Sequence, residues 1–89
     1  MSDFMLQKKL GRQIAALRKA RHLTQVQLAK AVDCSVEFIS LVERGVNAPS
    51  VARLEDFAKA LNARVIDLFS FPKREPKGNG KARIRRRTT

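Results

Sequence analysis

The sequence predicts a small all-α domain of five helices that is followed by a basic tail. Apolar residues recur at intervals of three and four along the chain as far as Phe71, which is the period of an amphipathic helix. Three hydroxyl residues, Thr24, Ser35 and Ser50, stand directly before such segments, where an N-cap is needed. Because no useful length of alternating apolar and polar residues occurs, no strand is predicted.

The first two helices are separated by the short loop Arg21-His22. Four apolar residues at helical spacing predict a first helix that ends at about Ala20: Leu6, Leu10, Ile14 and Leu17. The second helix begins at Thr24, because Thr24 and Gln27 have the spacing of a capping box. This helix is expected to end near Asp33.

The third helix is predicted over 35–44, with Gly45 as its stop signal. Ile39 and Val42 are three residues apart and therefore share one face, which leaves the other faces for solvent or a ligand. Two short capped helices joined by a tight turn, the second facing outward, form a helix-turn-helix. The segment 24–44 is therefore predicted to be this motif, whose second helix enters a DNA groove.

The fourth helix is expected to start after Ser50 and to end at Asn62, a residue that tolerates a left-handed stop. Its predicted buried face consists of Val51, Leu54, Phe57, Ala58 and Leu61. A short fifth helix is predicted from Val65 to Phe69, and Pro72 ends the helical order.

Charge divides the chain into a domain, residues 1–71, and a tail, residues 72–89. The first segment carries 11 Lys/Arg and 7 Asp/Glu, hence +4, whereas the tail carries 8 and 1, hence +7. The tail cannot bury enough apolar area to offset the entropy of ordering, so it is predicted to be disordered. A balance this basic points to a polyanion, either nucleic acid or an acidic membrane surface.

The composition argues against several classes of function. No apolar run approaches the roughly 20 residues of a membrane span, and the first ten residues lack the core of a signal peptide. One cysteine, Cys34, forms no intramolecular disulfide or metal-ligand set, so a cytoplasmic location is expected. His22 and Cys34 have no partners for catalysis. No enzyme activity, cofactor or metal is predicted, and a tail of this length is too short to form an effector pocket.

The segment from Leu10 to Phe69 resembles the phage-repressor (Cro-like) helix-turn-helix family. The matching runs are LGRQIAALRKARHLTQVQLA, SVEFISLVERG, PSVARLEDFAKAL and VIDLF. A capping box alone occurs at many helix starts, whereas the order and spacing of all these runs are specific. The resemblance implies a lambda-repressor-like fold and a sequence-specific, DNA-binding transcription regulator.

The resemblance also implies a set of DNA-contacting residues on and around the third helix: Gln25, Val36, Glu37, Phe38, Ser40, Leu41, Arg44 and Asn47. Glu37 has the chemistry to accept a hydrogen bond from cytosine N4, and Val36 or Phe38 to contact a thymine methyl. Phe38 has an equally good alternative, packing over the loop to the fourth helix. Gln25 and Glu37 each have the alternative of being merely solvated.

Two further implications concern packing. Arg18 and Glu43 are expected to form an ion pair between the first and third helices. Val65, Ile66 and Phe69 are expected to form a homodimer interface that presents two recognition helices to a palindromic operator. In the alternative, Ile66 and Phe69 close the core beneath the first helix.

The chain departs from the family pattern at two positions. Asp33 replaces the usual glycine of the turn, and aspartate tolerates a left-handed backbone better than most residues. Arg64 replaces a serine-like cap before the fifth helix. A restriction–modification controller or an antitoxin-type autoregulator with the same domain is an alternative to a general regulator. A protein- or RNA-binding adaptor and a nucleoid protein are alternatives from other classes.

Overall fold

The computed structural model describes the backbone of residues 3–71 and the side chains from residue 5 onward. The helices are α1 (Asp3–Ala20), α2 (Gln25–Ala31), α3 (Val36–Glu43), α4 (Val51–Ala60) and α5 (Val65–Leu68). No strand occurs between residues 3 and 71. The prediction of an all-α, five-helix domain is confirmed. The prediction of a disordered tail over 72–89 lies outside the described residues.

The core is assembled from one face of each helix. Helix α2 packs on α3, α3 packs on α1, and α5 packs on both α4 and α1. The largest fully buried side chains are Phe57, Ile14, Leu28, Ile39 and Leu68. Since each such side chain contributes about 1.5–3 kcal/mol on burial, hydrophobic packing is the main stabilising term of this small domain.

The predicted helix boundaries depend on local hydrogen bonds that the structure contains. The Thr24 hydroxyl accepts from the Gln27 N–H at 3.0 Å, and the Gln27 side chain accepts from the Thr24 N–H at 2.8 Å. The hydroxyls of Ser35 and Ser50 accept from backbone N–H groups three residues ahead. These contacts confirm all three predicted N-caps and satisfy N–H groups that a helix start leaves without a partner.

Left-handed residues end or connect the helices, as predicted for Asp33 and Asn62. Their φ angles are +57° and +56°, and that of Gly45 is +78°. His22, which follows α1, also has a positive φ of +59°. Sequence reasoning placed His22 in a loop but did not predict this conformation.

The buried face predicted for α4 is wrong at one end. Val51 is 77% exposed, whereas Leu54, Phe57, Ala58 and Leu61 are buried. Val51 is the first residue of α4, and its side chain lies outside the core.

Helix α5 also differs from its predicted form. It ends at Leu68, with Phe69 as the C-cap. Leu68 is fully buried, so it closes the core at the position proposed for Ile66 and Phe69 in the alternative prediction. A four-residue helix is too short for its sequence to show which face is buried.

The start of α5 has a cap of a different kind from the serine-like one. The Asp67 carboxylate accepts from the Arg64 backbone N–H at 2.9 Å and from its guanidinium at 3.3 Å. These hydrogen bonds hold the pKa of Asp67 below its usual value, and the one from the Arg64 backbone contributes most. The Gln13 amide of α1 donates to the carbonyls of Asp67 and Ser70 at 2.9 and 3.2 Å, which ties α1 to α5.

A buried ion pair joins α1 to the end of α3. The Arg18 Nε donates to Glu43 Oε2 at 2.6 Å and its Nη2 donates to Oε1 at 3.1 Å, while Nη1 donates to the Leu23 carbonyl at 2.8 Å. The two side chains are only 11% and 7% exposed. Charges so far from water are stabilised only if they are paired and hydrogen-bonded, which this geometry provides.

The same helices cross closely at Gly11. A Cβ at this position would lie 2.2 Å from the Val42 carbonyl oxygen and 2.8 Å from that of Glu43. Both neighbours are backbone atoms that cannot swing aside as the end of a side chain can. Only glycine therefore permits the observed approach of α1 to α3.

We expect Gly11→Ala to destabilise the domain, although alanine is favoured over glycine in a helix by about 1 kcal/mol. The added methyl group forces α1 and α3 apart, and overpacking of this kind costs about 1–3 kcal/mol. Urea unfolding monitored by circular dichroism measures the change. Ala16→Gly, at an exposed position of α1, is the control for propensity alone. A Gly11→Ala protein more stable than wild type contradicts the close crossing.

We expect Arg18→Met and Glu43→Leu each to cost about 3–5 kcal/mol, because each strands a buried charge. The double variant should lose less than the sum of the two single losses, as a double-mutant cycle of chemical unfolding would show. The control cycle is the exposed pair of Arg64 and Asp67, for which a coupling of about 1 kcal/mol or less is expected. Additive losses for Arg18 and Glu43 contradict the pairing.

Candidate nucleic-acid interface

Helix α3 buries one face in the core and exposes the other to solvent. Ile39 and Val42 are buried in the core, while Val36, Glu37 and Arg44 are exposed. Ser40 and Leu41 are half-buried. The outward surface formed by Val36, Glu37, Ser40, Leu41 and Arg44 is called the α3 face below. It combines one carboxylate, one guanidinium and one hydroxyl with two apolar side chains.

Phe38 lies between the α3 face and the core. Its side chain is half-buried and packs against the core cluster, and its backbone N–H donates to the Ser35 hydroxyl at 3.0 Å. Phe38 therefore has a packing role against the core. Packing over the loop to the fourth helix and contact with a thymine methyl both stay predictions.

Gln25 opens α2 and is connected to the buried ion pair. Its Nε2 donates to Glu43 Oε1 at 2.9 Å, so that one carboxylate oxygen receives both Gln25 and Arg18. This hydrogen bond was missed from the sequence, since residues 18 positions apart carry no local spacing signal. The predicted contact of Gln25 with a phosphate stays untested. The amide is, however, held in a fixed position at the start of α2.

The loop after α3 turns back on its own helix. The N–H groups of Val46 and Asn47 donate to the Leu41 carbonyl at 2.9 and 3.3 Å, and Gly45 supplies the left-handed residue that this turn requires. Arg44 is the C-cap of α3 and is exposed, while Asn47 is half-buried. These contacts place Asn47 near the end of the α3 face.

A second surface of the domain is apolar. Ile66 is 62% exposed, and Val65 and Phe69 are each more than a third exposed. Phe69 packs edge-to-face against Phe71, with ring centroids 6.3 Å apart. Phe69 also lines a shallow groove with Leu6, Gln7, Leu10 and Ala48. The surface formed by Val65, Ile66 and Phe69 is called the α5 surface below.

Within the described part of the chain, no cluster of three or more His, Cys, Asp or Glu side chains is arranged to hold a metal ion. Over the same residues, no helix has the length and apolar character needed to cross a membrane. Cys34 is half-buried and packs against the core, as expected for a small hydrophobic residue.

Comparison with known proteins places this arrangement in a family. The helix-turn-helix family model HTH_3 matches residues 14–68, which is more than half of the chain. The immunity repressor protein of Bacillus phage phi105 is 43% identical over 56 residues, which are 63% of this chain and 39% of the repressor. The chain thus spans about two fifths of the length of that repressor.

Two solved structures extend the likeness to three dimensions. The restriction-modification controller protein C.AhdI from Aeromonas hydrophila superposes with a TM-score of 0.69 at 30% identity, over 71% of this chain and 96% of C.AhdI. The biofilm master regulator SinR, solved in complex with DNA, gives 0.63 at 27% identity, over 66% and 95% of the two chains. The chain belongs to the helix-turn-helix (HTH_3) family of DNA-binding transcriptional regulators.

Proposed function

We propose that this protein regulates transcription as a homodimer that binds a palindromic operator, with α3 in the major groove. The proposal rests first on the construction of α3, whose Ile39 and Val42 are buried while the α3 face is left to solvent. A helix held in this way has the dimensions to enter a major groove without unfolding any part of the core.

The α3 face suggests how bases are read. Glu37 accepts from cytosine N4 in the proposed complex, and Val36 contacts a thymine methyl, as their chemistry allows. Ser40 and Leu41 contribute a hydroxyl and a further apolar contact. Because the face lacks asparagine, glutamine and an arginine directed at its centre, DNA shape and deformability contribute a large share of specificity.

Phosphate contacts come from the edges of this surface. Gln25, Arg44 and Asn47 are placed at the start of α2, the end of α3 and the following loop, and we propose that they fix the register on the backbone. Residues 1–71 carry a net charge of only +4, against +7 for residues 72–89. We therefore propose that the tail adds affinity that is independent of sequence.

The dimer is proposed to form through the α5 surface. The core contact of α5 is already made by the fully buried Leu68, so the three apolar side chains of the α5 surface exceed what the monomer needs. Covering them removes apolar area from water, at about 25 cal/mol per Å². Two-fold symmetry then places two α3 helices one DNA turn apart, roughly 34 Å.

Selection of bound sequences from a random DNA pool tests the proposal. We expect an enriched palindrome with half-sites about one turn apart. Binding without enrichment supports a nucleoid protein, and absence of DNA binding supports a protein-binding adaptor. Because the fold resembles that of C.AhdI, a restriction–modification controller is the second candidate function. A selected operator that lies within a restriction–modification operon would support this candidate.

We expect Glu37→Gln to change the preferred base at one position of each half-site, because an amide donates as well as accepts. A change in discrimination of about 1–3 kcal/mol is expected from one base contact. Titration of base-substituted operators against both proteins measures it. Glu55→Gln, which removes an exposed carboxylate from α4, is the charge-matched control. Equal shifts for both variants, or an unchanged preference, count against readout by Glu37.

We expect Val65→Asp to yield a monomer that remains helical, because a carboxylate on the α5 surface loses its hydration when the dimer forms. Sedimentation equilibrium gives the mass and circular dichroism the helix content. The matched control is Val51→Asp, another exposed valine at the first position of a helix, on α4. This control should dimerise as wild type does. Dimers of both variants, or a wild type that stays monomeric when bound to its operator, contradict the α5 surface as the interface.

A further inference from the structure

One side chain of α4 reaches across to the turn of the helix-turn-helix. The Arg53 guanidinium donates through Nη1 to the Val32 carbonyl and through Nη2 to the Asp33 carbonyl at 3.3 Å. Its Nη1 also lies 3.7 Å from the carboxylate of Asp56, three residues ahead on α4. The planar guanidinium is therefore hydrogen-bonded to the turn that precedes α3 and lies near a carboxylate of its own helix.

The two carbonyls lie at the end of α2, where the Val32 carbonyl also accepts a weaker contact from the Cys34 thiol at 3.5 Å. Val32 is the C-cap of α2, and Asp33 continues the chain in a left-handed conformation. The last carbonyls of a helix have no partner within it, and they form the negative end of its dipole. An arginine fork matches this end in both geometry and charge. Arg53 thus caps α2 from a different helix.

This contact links two groups of helices. Helix α3 packs on both α1 and α2, and α5 packs on α4 and α1. Polar side-chain links between the two groups include Gln13, which reaches α5 from α1, and Arg53, which reaches the turn from α4. The Gln13 link holds α1, whereas the Arg53 link acts directly on the residues that lead into α3.

We propose that Arg53 is a positioning residue that sets the orientation of α3 relative to the α5 surface, and through it the half-site spacing that the dimer accepts. The inference rests on the proposed function, because orientation matters only if α3 reads DNA and the α5 surface joins two copies. Arg53 itself does not contact DNA in this proposal, since its fork is directed at the turn.

The test compares full-length wild type with Arg53→Met, which keeps an apolar stem but loses the fork, and Arg53→Lys, which keeps the charge. Lys59→Met is the matched control, because it removes an exposed cation from the same helix. Operators obtained by selection are remade with one base pair added or removed between the half-sites. Affinities are measured at several salt concentrations, and amide hydrogen exchange of residues 33–35 is followed in the free proteins.

We expect exchange in the turn of Arg53→Met to accelerate by roughly tenfold or more, since hydrogen bonds from a charged donor are lost. Its preference for the native half-site spacing should fall by a similar factor, while the slope of log K against log salt stays that of wild type. Arg53→Lys should recover part of the preference, because an ammonium group reaches one carbonyl but not both in fork geometry. Lys59→Met should keep the spacing preference of wild type.

Other results overturn the proposal in different ways. A salt slope shallower by about 0.9 for Arg53→Met, with unchanged exchange, identifies Arg53 as a phosphate contact. Faster amide exchange in Arg53→Met without a change in spacing preference shows that Arg53 only caps α2 and does not position α3. A wild type that lacks sequence preference overturns the regulator function and the positioning role with it, and the exchange measurement then still decides whether the cap exists.

Discussion

The buried ion pair of Arg18 and Glu43 is the interaction on which the arrangement of the first three helices depends. Its guanidinium also holds the Leu23 carbonyl, and its carboxylate also holds the Gln25 amide. Three segments of the chain therefore meet at one pair of charges: the end of α1, the start of α2 with the residues before it, and the end of α3. Desolvation of both groups makes the site costly if any partner is misplaced, so the pair disfavours arrangements of α1, α2 and α3 in which these partners do not meet.

The close crossing at Gly11 and the ion pair belong to the same contact. A Cβ at position 11 would strike the backbone carbonyls of Val42 and Glu43, and Glu43 is also the residue whose side chain Arg18 holds. The last turn of α3 is thus fixed by steric fit and by charge, and its first turn is fixed by the Ser35 cap. Both ends are held without the exposed side chains of Val36 and Glu37, so these two positions of the α3 face are open to substitution without loss of the fold.

Local signals were sufficient to predict most of the fold, and non-local ones were not readable from one sequence. Hydroxyl caps, helical spacing and left-handed stops are encoded within four or five residues, and they gave the five helices. The burial of Leu68 and the exposure of Val51 depend on what lies against each helix end, so spacing alone did not predict the first and was wrong for the second. The hydrogen bonds from Gln25 to Glu43 and from Arg53 to the turn join residues 18 to 21 positions apart. No spacing pattern in the sequence predicts contacts over such a separation. The ion pair was expected only through the family resemblance.

The charge of the α3 face bears on how affinity and specificity are divided in the proposed complex. Glu37 is repelled by phosphates at every site and is compensated only where a base donates to it. Such a residue lowers binding to wrong sequences more than it strengthens binding to the right one. With Arg44 as the one cation of the α3 face, the attraction that brings the protein to DNA must come from charges elsewhere on the chain, of which residues 72–89 hold the largest share. Discrimination in the domain and attraction in the tail can then change independently, because a substitution on one surface leaves the contacts of the other intact.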